Sequence, residues 1–110
     1  MLARHPNLVM IVAHLGAPEY REFLDLADRY PGVYLDTTMA CTDFMNQIAP
    51  FPDALVPRLA AAGGKVVLGT DFPNIPYPYL TQLEALARLD LGDDWLRRVC
   101  YLNPARLLGL

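Results

Sequence analysis

The sequence predicts an α/β fold built on a parallel sheet, and three observations predict it. Two apolar runs, residues 8–13 and 65–69, are continuous rather than alternating, as expected for strands covered on both faces. Segments with apolar residues at helical spacing separate the strand-like runs. Each run also ends in a polar residue where its loop begins: His14, Asp36 and Asp71. Strands that alternate with helices imply a parallel sheet with right-handed crossovers.

The elements follow in order. The first strand is Leu8-Val9-Met10-Ile11-Val12-Ala13. A helix over 18–30 places Phe23, Leu24, Ala27 and Tyr30 on one side, and Pro31-Gly32 stops it. A short second strand, 33–35, leads into a long irregular loop at 37–52, a normal place for substrate contacts. A helix over 53–62 carries the stripe Leu55, Val56, Leu59 and Ala60, and Gly63-Gly64 ends it. The third strand, 65–69, precedes a helix over 79–89 with Leu80, Leu83, Leu86 and Ala87 on one face. Two helices close the chain at 93–102 and 104–108, with Asn103 as N-cap and Pro104 in the first turn. Asp93 and Asp94 suit a helix start through the dipole alone, and Trp95 reads as core beneath the last helices.

Composition narrows the function classes. The chain has 110 residues, one domain's length, and 54% of them are hydrophobic, enough for a core. No apolar run approaches the ~20 residues of a spanning helix, and the N-terminus shows no signal-peptide pattern. The expectation is a soluble cytoplasmic protein. Net charge is −3 and the nine basic residues are scattered, so no basic stripe marks nucleic acid as a partner. Cys41 and Cys100 lack ligand spacing and read as a reduced pair. The turn His14-Leu15-Gly16-Ala17-Pro18 lacks a phosphate-cradling glycine pattern, which argues against a nucleotide-binding half-domain.

Parallel strands put their C-terminal ends on one sheet edge, so His14, Asp36 and Asp71 should face one crevice. His14 could ligate a metal, act as a base or polarise a substrate; a core histidine bonded to a carbonyl weighs equally. Asp71 follows an apolar strand, where a carboxylate is costly unless paired or metal-bound; the alternative is an Asp that caps the turn into Phe72-Pro73-Asn74. Asp36 could bind substrate or simply bond the backbone of Thr37 or Thr38. His5, before Pro6, reads as a surface residue, and Asp43, Asn46 and Gln47 as a solvated loop. Cys41 reads as a small apolar filler rather than a nucleophile. Tyr77 and Tyr79 either line a pocket or pack the proline-rich stretch 73–78.

Taken together, several segments resemble the C-terminal portion of the amidohydrolase-related metal-dependent hydrolases. They are His5-Pro6-Asn7-Leu8 leading into Ile11-Val12-Ala13-His14-Leu15-Gly16, and Gly32-Val33-Tyr34-Leu35-Asp36-Thr37-Thr38. They continue with Lys65-Val66-Val67-Leu68-Gly69-Thr70-Asp71-Phe72-Pro73 and Asn103-Pro104-Ala105-Arg106-Leu107-Leu108-Gly109-Leu110. The branch resembled includes the aminocarboxymuconate-semialdehyde decarboxylase-like enzymes. The resemblance spans residues 1–110 and implies strands six, seven and eight of a (β/α)₈ TIM barrel, incomplete in this chain. It implies that Asp71 ligates a divalent metal, usually zinc, and handles a proton of metal-bound water, and that His14 assists the water or the substrate. The family's His-x-His pair and its further ligand His have no counterpart here.

The expectation is therefore a piece of a longer protein, with Met1 near the end of the helix before strand six. The leading reading is a metal-dependent hydrolase acting on an amide, ester or lactone-type bond of a small molecule. A non-oxidative decarboxylase of the same barrel is the second reading. A non-catalytic remnant or ligand-binding α/β module is the third. Three parallel strands cannot close a barrel, so unpaired edges would favour association, including between copies.

Overall fold

A computed structural model describes residues 2–110. Three short strands, β1 (Met10–Val12), β2 (Val33–Asp36) and β3 (Val66–Val67), form one sheet in the order β1-β2-β3. Both pairings are parallel, with Val12 opposite Leu35 and Leu35 opposite Val66. The predicted strands and their direction are thus present, although each outer run is trimmed to its centre. Six α-helices accompany them among the described residues: α1 (Tyr20–Arg29), α2 (Asp43–Ile48), α3 (Val56–Ala61), α4 (Leu80–Arg88), α5 (Asp93–Arg97) and α6 (Asn103–Leu108). No helix among the described residues is long and apolar enough to cross a membrane.

The core lies on one face of the sheet. Val33, Leu35 and Val66 are fully buried there, with Leu24 and Ala27 of α1, Leu59 of α3, Leu86 of α4 and Trp95 of α5. Trp95 is core, as its position suggested, and its indole N–H donates to the Leu59 carbonyl at 3.2 Å. The other face differs from expectation. Ile11 pairs with Tyr34, so both point away from that core, and Ile11 remains 49% exposed. Val9 is 56% exposed as well. The first strand is covered on one face only, because three strands do not curl far enough to enclose the other.

The loop predicted as irregular contains α2. Thr42 caps it, its hydroxyl accepting from the Met45 amide at 3.2 Å. Phe44, Met45 and Ile48 supply a short apolar stripe, of which only Met45 is buried.

The chain's end also differs from expectation. Asn103 does not cap a new helix. Its backbone is helical (φ −68°, ψ −49°), and a π turn over Arg98–Leu102 joins α5 and α6. Pro104 has no N–H and its ring crowds the carbonyl four residues back, so a widened turn accommodates it. The Asn103 side chain, 1% exposed, points into the protein and donates to the carbonyls of Gly63 and Val66. This binds the last helix to the start of β3. At β3's outer edge, Leu68 N–H donates to the Val99 carbonyl at 3.0 Å, so the helix takes the place of a further strand.

Candidate functional site at the C-terminal edge of the sheet

The polar strand ends are joined by side chains rather than by longer strands. β1 runs into a tight turn, Ala13–Gly16, in which His14 (φ 59°) and Leu15 (φ 53°) adopt the left-handed conformation. That conformation is uncommon for residues with a side chain and needs support from its surroundings. Asp36 supplies it: one carboxylate oxygen accepts from the His14 amide at 3.2 Å and the Thr38 amide at 2.9 Å. Gly16 (φ 85°) completes the turn, and a Cβ there would stand 2.4 Å from the Phe23 ring.

The His14 ring is fixed from its other side. Its Nδ1 lies 2.7 Å from the Thr38 carbonyl. A carbonyl only accepts, so Nδ1 carries the proton and Nε2 of the neutral ring is left as an acceptor or ligand atom. The ring is part-buried. His14 is therefore a histidine bonded to a carbonyl, and the same bond orients its free nitrogen.

β2 and β3 are joined next. Thr37, fully buried, donates its hydroxyl to the Gly69 carbonyl at 3.2 Å and accepts from the Gly69 amide at 3.1 Å. A Cβ on Gly69 would lie 2.4 Å from the Thr38 hydroxyl and 3.0 Å from Asp36 Cγ. The three strand ends thus form one polar seam, with Asp36 and Thr37 as its joints. Asp36 bonds the backbone of Thr38, one of its two sequence readings, and holds His14 as well.

Asp71 stands two residues beyond Gly69, exposed, with φ 60°. Its carbonyl accepts from the Asn74 amide at 2.7 Å, closing a turn, while among the described residues its carboxylate has no ion-pair partner. The turn reading therefore holds for the backbone of Asp71 and leaves the carboxylate free. His14 and Asp36 are in contact; Asp71 shares their sheet edge but does not join them in a cluster. Among the described residues no group of three His, Cys, Asp or Glu side chains is close enough to hold a metal ion.

Aromatic residues surround this edge. Tyr77 packs on Phe44 with ring centroids 6.3 Å apart, and Phe72 meets Tyr79 edge-on at 5.9 Å. Burial raises the Tyr77 pKa; the nearby Thr42 hydroxyl opposes this and the Asp71 charge adds to it. The Tyr77 phenol is buried yet makes no well-formed hydrogen bond among the described residues. Cys41 is buried, which pushes its thiol up to about 11 against the opposing charge of Arg88. A group so hard to ionise is a filler, not a nucleophile. Asp43 is exposed and pairs with Arg88 at 3.3 Å. Asn46, Gln47 and His5 are exposed, as expected. A groove beside α2 is lined by Cys41, Asp43, Asn46, Phe51 and Arg88 and includes none of His14, Asp36 and Asp71.

Comparison with known proteins places this chain in a family. The family model described as amidohydrolase matches residues 1–110. The chain belongs to the amidohydrolase family. No curated protein matches it. Among solved structures, this amidohydrolase chain is similar to an uncharacterized TIM-barrel protein from Bordetella bronchiseptica: TM-score 0.78, 22% identity, covering 98% of this chain and 36% of that one. It is also similar to a probable 2-pyrone-4,6-dicarboxylic acid hydrolase from Acinetobacter baumannii with citric acid bound: TM-score 0.63, 14% identity, covering all of this chain and 48% of that one. The amidohydrolase chain thus spans well under two thirds of either structure. At these identities the likeness concerns fold: a three-stranded parallel α/β unit that matches part of a TIM barrel.

The metal such an amidohydrolase implies can be tested against the residues present. The His14 Nε2 and the Asp71 carboxylate are donors of the right chemistry for zinc. A catalytic zinc takes three protein ligands, and the described residues bring no such trio together. The amidohydrolase seam therefore offers donors to a metal site but does not complete one. Sequence reasoning reached His14, Asp36 and Asp71 and the Asp36 bond to the Thr38 backbone; it missed the Thr38 carbonyl as the partner of His14 and the Thr37–Gly69 link between strand ends. The signal was available: hydroxyl and glycine residues sit directly at the strand ends, where bulk is excluded.

Proposed function

We propose that this chain forms strands six to eight of a metal-dependent hydrolase barrel, in the branch that includes the aminocarboxymuconate-semialdehyde decarboxylase-like enzymes. The substrate is a small molecule with an amide, ester or lactone-type bond. Asp71 serves as one ligand of a divalent metal, with zinc the leading candidate, and the remaining ligands come from residues outside these 110. When bound, such a metal supplies a water activated for attack on a carbonyl.

His14 carries the reading furthest. Its Nδ1 is tied to the Thr38 carbonyl, so the free Nε2 is presented in one orientation. A neutral imidazole held in this way takes a proton from, or after protonation donates one to, the oxygen at the reacting centre. Asp36 sets the backbone from which the ring projects, one of its oxygens serving two amides. The exposed, unpaired Asp71 carboxylate is free to bind a cation.

Two measurements test this. Zinc is assayed in the purified 110-residue chain; well under one equivalent is expected, and one tightly held zinc per chain would refute a site shared with other residues. Lactone hydrolysis is then measured in a complete barrel protein carrying this segment. Asp71→Asn should lower kcat/KM by at least about a thousandfold through loss of the metal site, and His14→Gln by about a hundredfold through loss of acid–base assistance. Wild-type rates in both variants would overturn the assignment.

A further inference from the structure

Gln82 shares one face of α4 with the core residues Ala85 and Leu86 and is 0% exposed. Its Nε2 donates to the Ala40 carbonyl at 3.2 Å, and its Oε1 has no partner among the described residues. The opposite amide orientation would set two oxygens against each other, so the contact with Ala40 fixes which atom is left alone. An apolar side chain here would orphan the Ala40 carbonyl, whereas Gln82 orphans its own oxygen. The amide thus exchanges one unpaired buried acceptor for another and gains little stability by it. What it does gain is a fixed carbonyl.

That carbonyl belongs to the turn on which the His14 ring rests. Met39 (φ 59°) and Cys41 (φ 66°) are both left-handed there, a conformation that needs support from its surroundings. The turn's own bonds run from the Ala40 amide to the Thr37 carbonyl at 2.8 Å and from the Thr42 hydroxyl to the Met39 carbonyl at 2.7 Å. The carbonyls of Thr38, Ala40 and Cys41 each take a side chain from another element. These are His14 Nδ1 at 2.7 Å, Gln82 Nε2 at 3.2 Å and the Arg88 guanidinium at 3.5 Å. Two of the three belong to α4, so this helix holds the turn that holds His14. The same helix begins where the segment carrying Asp71, 68–79, ends.

We infer that Gln82 is a positioning residue for His14. Through the Ala40 carbonyl it fixes the turn whose Thr38 carbonyl holds the Nδ1 proton, and so keeps Nε2 as the free nitrogen in one orientation. The inference rests on the proposed reading of His14 as the acid–base residue. Gln82 itself touches no reacting atom. Its contribution is preorganisation, since a ring whose supporting carbonyl wanders presents the wrong nitrogen for part of the time.

The test reads the His14 ring directly. The chain has two histidines, and the exposed His5 serves as an internal reference for a ring that nothing holds. Their ring nitrogen signals are recorded by NMR in the purified 110-residue chain, at a pH where imidazole is neutral. Native His14 is expected as one tautomer, protonated at Nδ1, and His5 as a mixture. Gln82→Met keeps the bulk and removes the donor. The His14 preference for the Nδ1–H form should then fall by about fivefold, the scale of one hydrogen bond, while His5 stays as it was. Leu83→Ala removes apolar bulk from the same helix but no donor to the turn, and at a matched loss of melting temperature it should leave His14 unchanged. Arg88→Met releases the Cys41 carbonyl from the exposed end of α4 and should move His14 in the same direction by about twofold; it decides the matter if Gln82→Met does not fold. The inference is overturned by a mixed tautomer in the native chain, by an unchanged His14 in the deciding variant, or by an equal change in Leu83→Ala. The catalytic reading of His14 is judged separately, by hydrolysis in His14→Gln, so either idea can fail alone.

Discussion

The two ends of this small sheet solve the same problem with different chemistry: among the described residues, carboxylate and hydroxyl acceptors for amides appear only at one of them. At the N-terminal end, side-chain donors satisfy carbonyls. Lys65 Nζ reaches the carbonyls of Ala27 and Tyr30 at 3.0 and 2.9 Å, Asn103 reaches those of Gly63 and Val66, and Arg106 reaches that of Gly64 at 3.0 Å. At the C-terminal end, side-chain acceptors also satisfy amides, beside donors such as His14 and Thr37 that serve carbonyls there. Asp36 serves His14 and Thr38, Thr37 serves Gly69, and Thr42 serves Met45. The parallel topology explains the contrast. Each crossover helix ends near the start of the next strand, where its last carbonyls lack partners, and begins near the other edge, where free amides point. Cations and amide donors collect at one end and carboxylates and hydroxyls at the other. One end is built for anchoring, and the other holds open side chains in place.

The comparison is broken most severely by Asn103→Ala. Two buried carbonyls lose their partner, and a loss of about 3 kcal/mol is expected in urea unfolding, within the range for unpaired buried groups. If the change costs no more than a surface substitution, the anchoring role assigned to that end is wrong. Gly69→Ala attacks the opposite end. The new methyl meets the Thr38 hydroxyl and Asp36, and a loss of about 2 kcal/mol is expected for overpacking. The His14 ring signals should shift with it, because Thr38 and Asp36 hold His14; unchanged histidine signals would separate Gly69 from the seam.

The smallest effect is a pH dependence. Burial raises Cys41 from 9.0 to about 11. A pKa raised on folding contributes stability that is complete below the unfolded value and is lost as pH climbs through the folded one. Stability should therefore fall between about pH 9 and 11, by on the order of 1–2 kcal/mol. Tyr20, raised to about 12, acts in the same direction at higher pH, so Cys41→Ala should remove only the lower part of the decline. A native chain with the same slope as Cys41→Ala would place the thiol in a more open setting.

Much of this architecture is legible in the residues. The apolar runs around Ile11, Val33 and Val67 announce strands because nothing polar interrupts them, and the stripes of Leu24 and Ala27 or Leu83 and Leu86 announce helices by spacing. Strand order and direction follow from connection length and handedness. The helix at Asp43–Ile48 is harder to see, because six residues give too little periodicity and its stability depends on the Thr42 cap and the burial of Met45. Asn103 misled for a related reason. Asn before Pro is an N-cap pattern, yet its amide is worth more between two orphaned carbonyls than at a helix end.

What the sequence determined by itself is the α/β order, the parallel sheet and the gathering of His14, Asp36 and Asp71 on one edge, since these depend on local pattern and on chain connectivity. Tertiary structure alone decided which of them touch. It set His14 on the Thr38 carbonyl, gave Asp36 to two amides, left Asp71 unpaired and brought Arg88 onto Asp43. Those outcomes depend on which backbone groups remain unsatisfied after the elements have packed. That cannot be read from neighbours in sequence, because the partners lie 22 residues apart for His14 and Asp36 and 40 apart for Asn103 and Gly63.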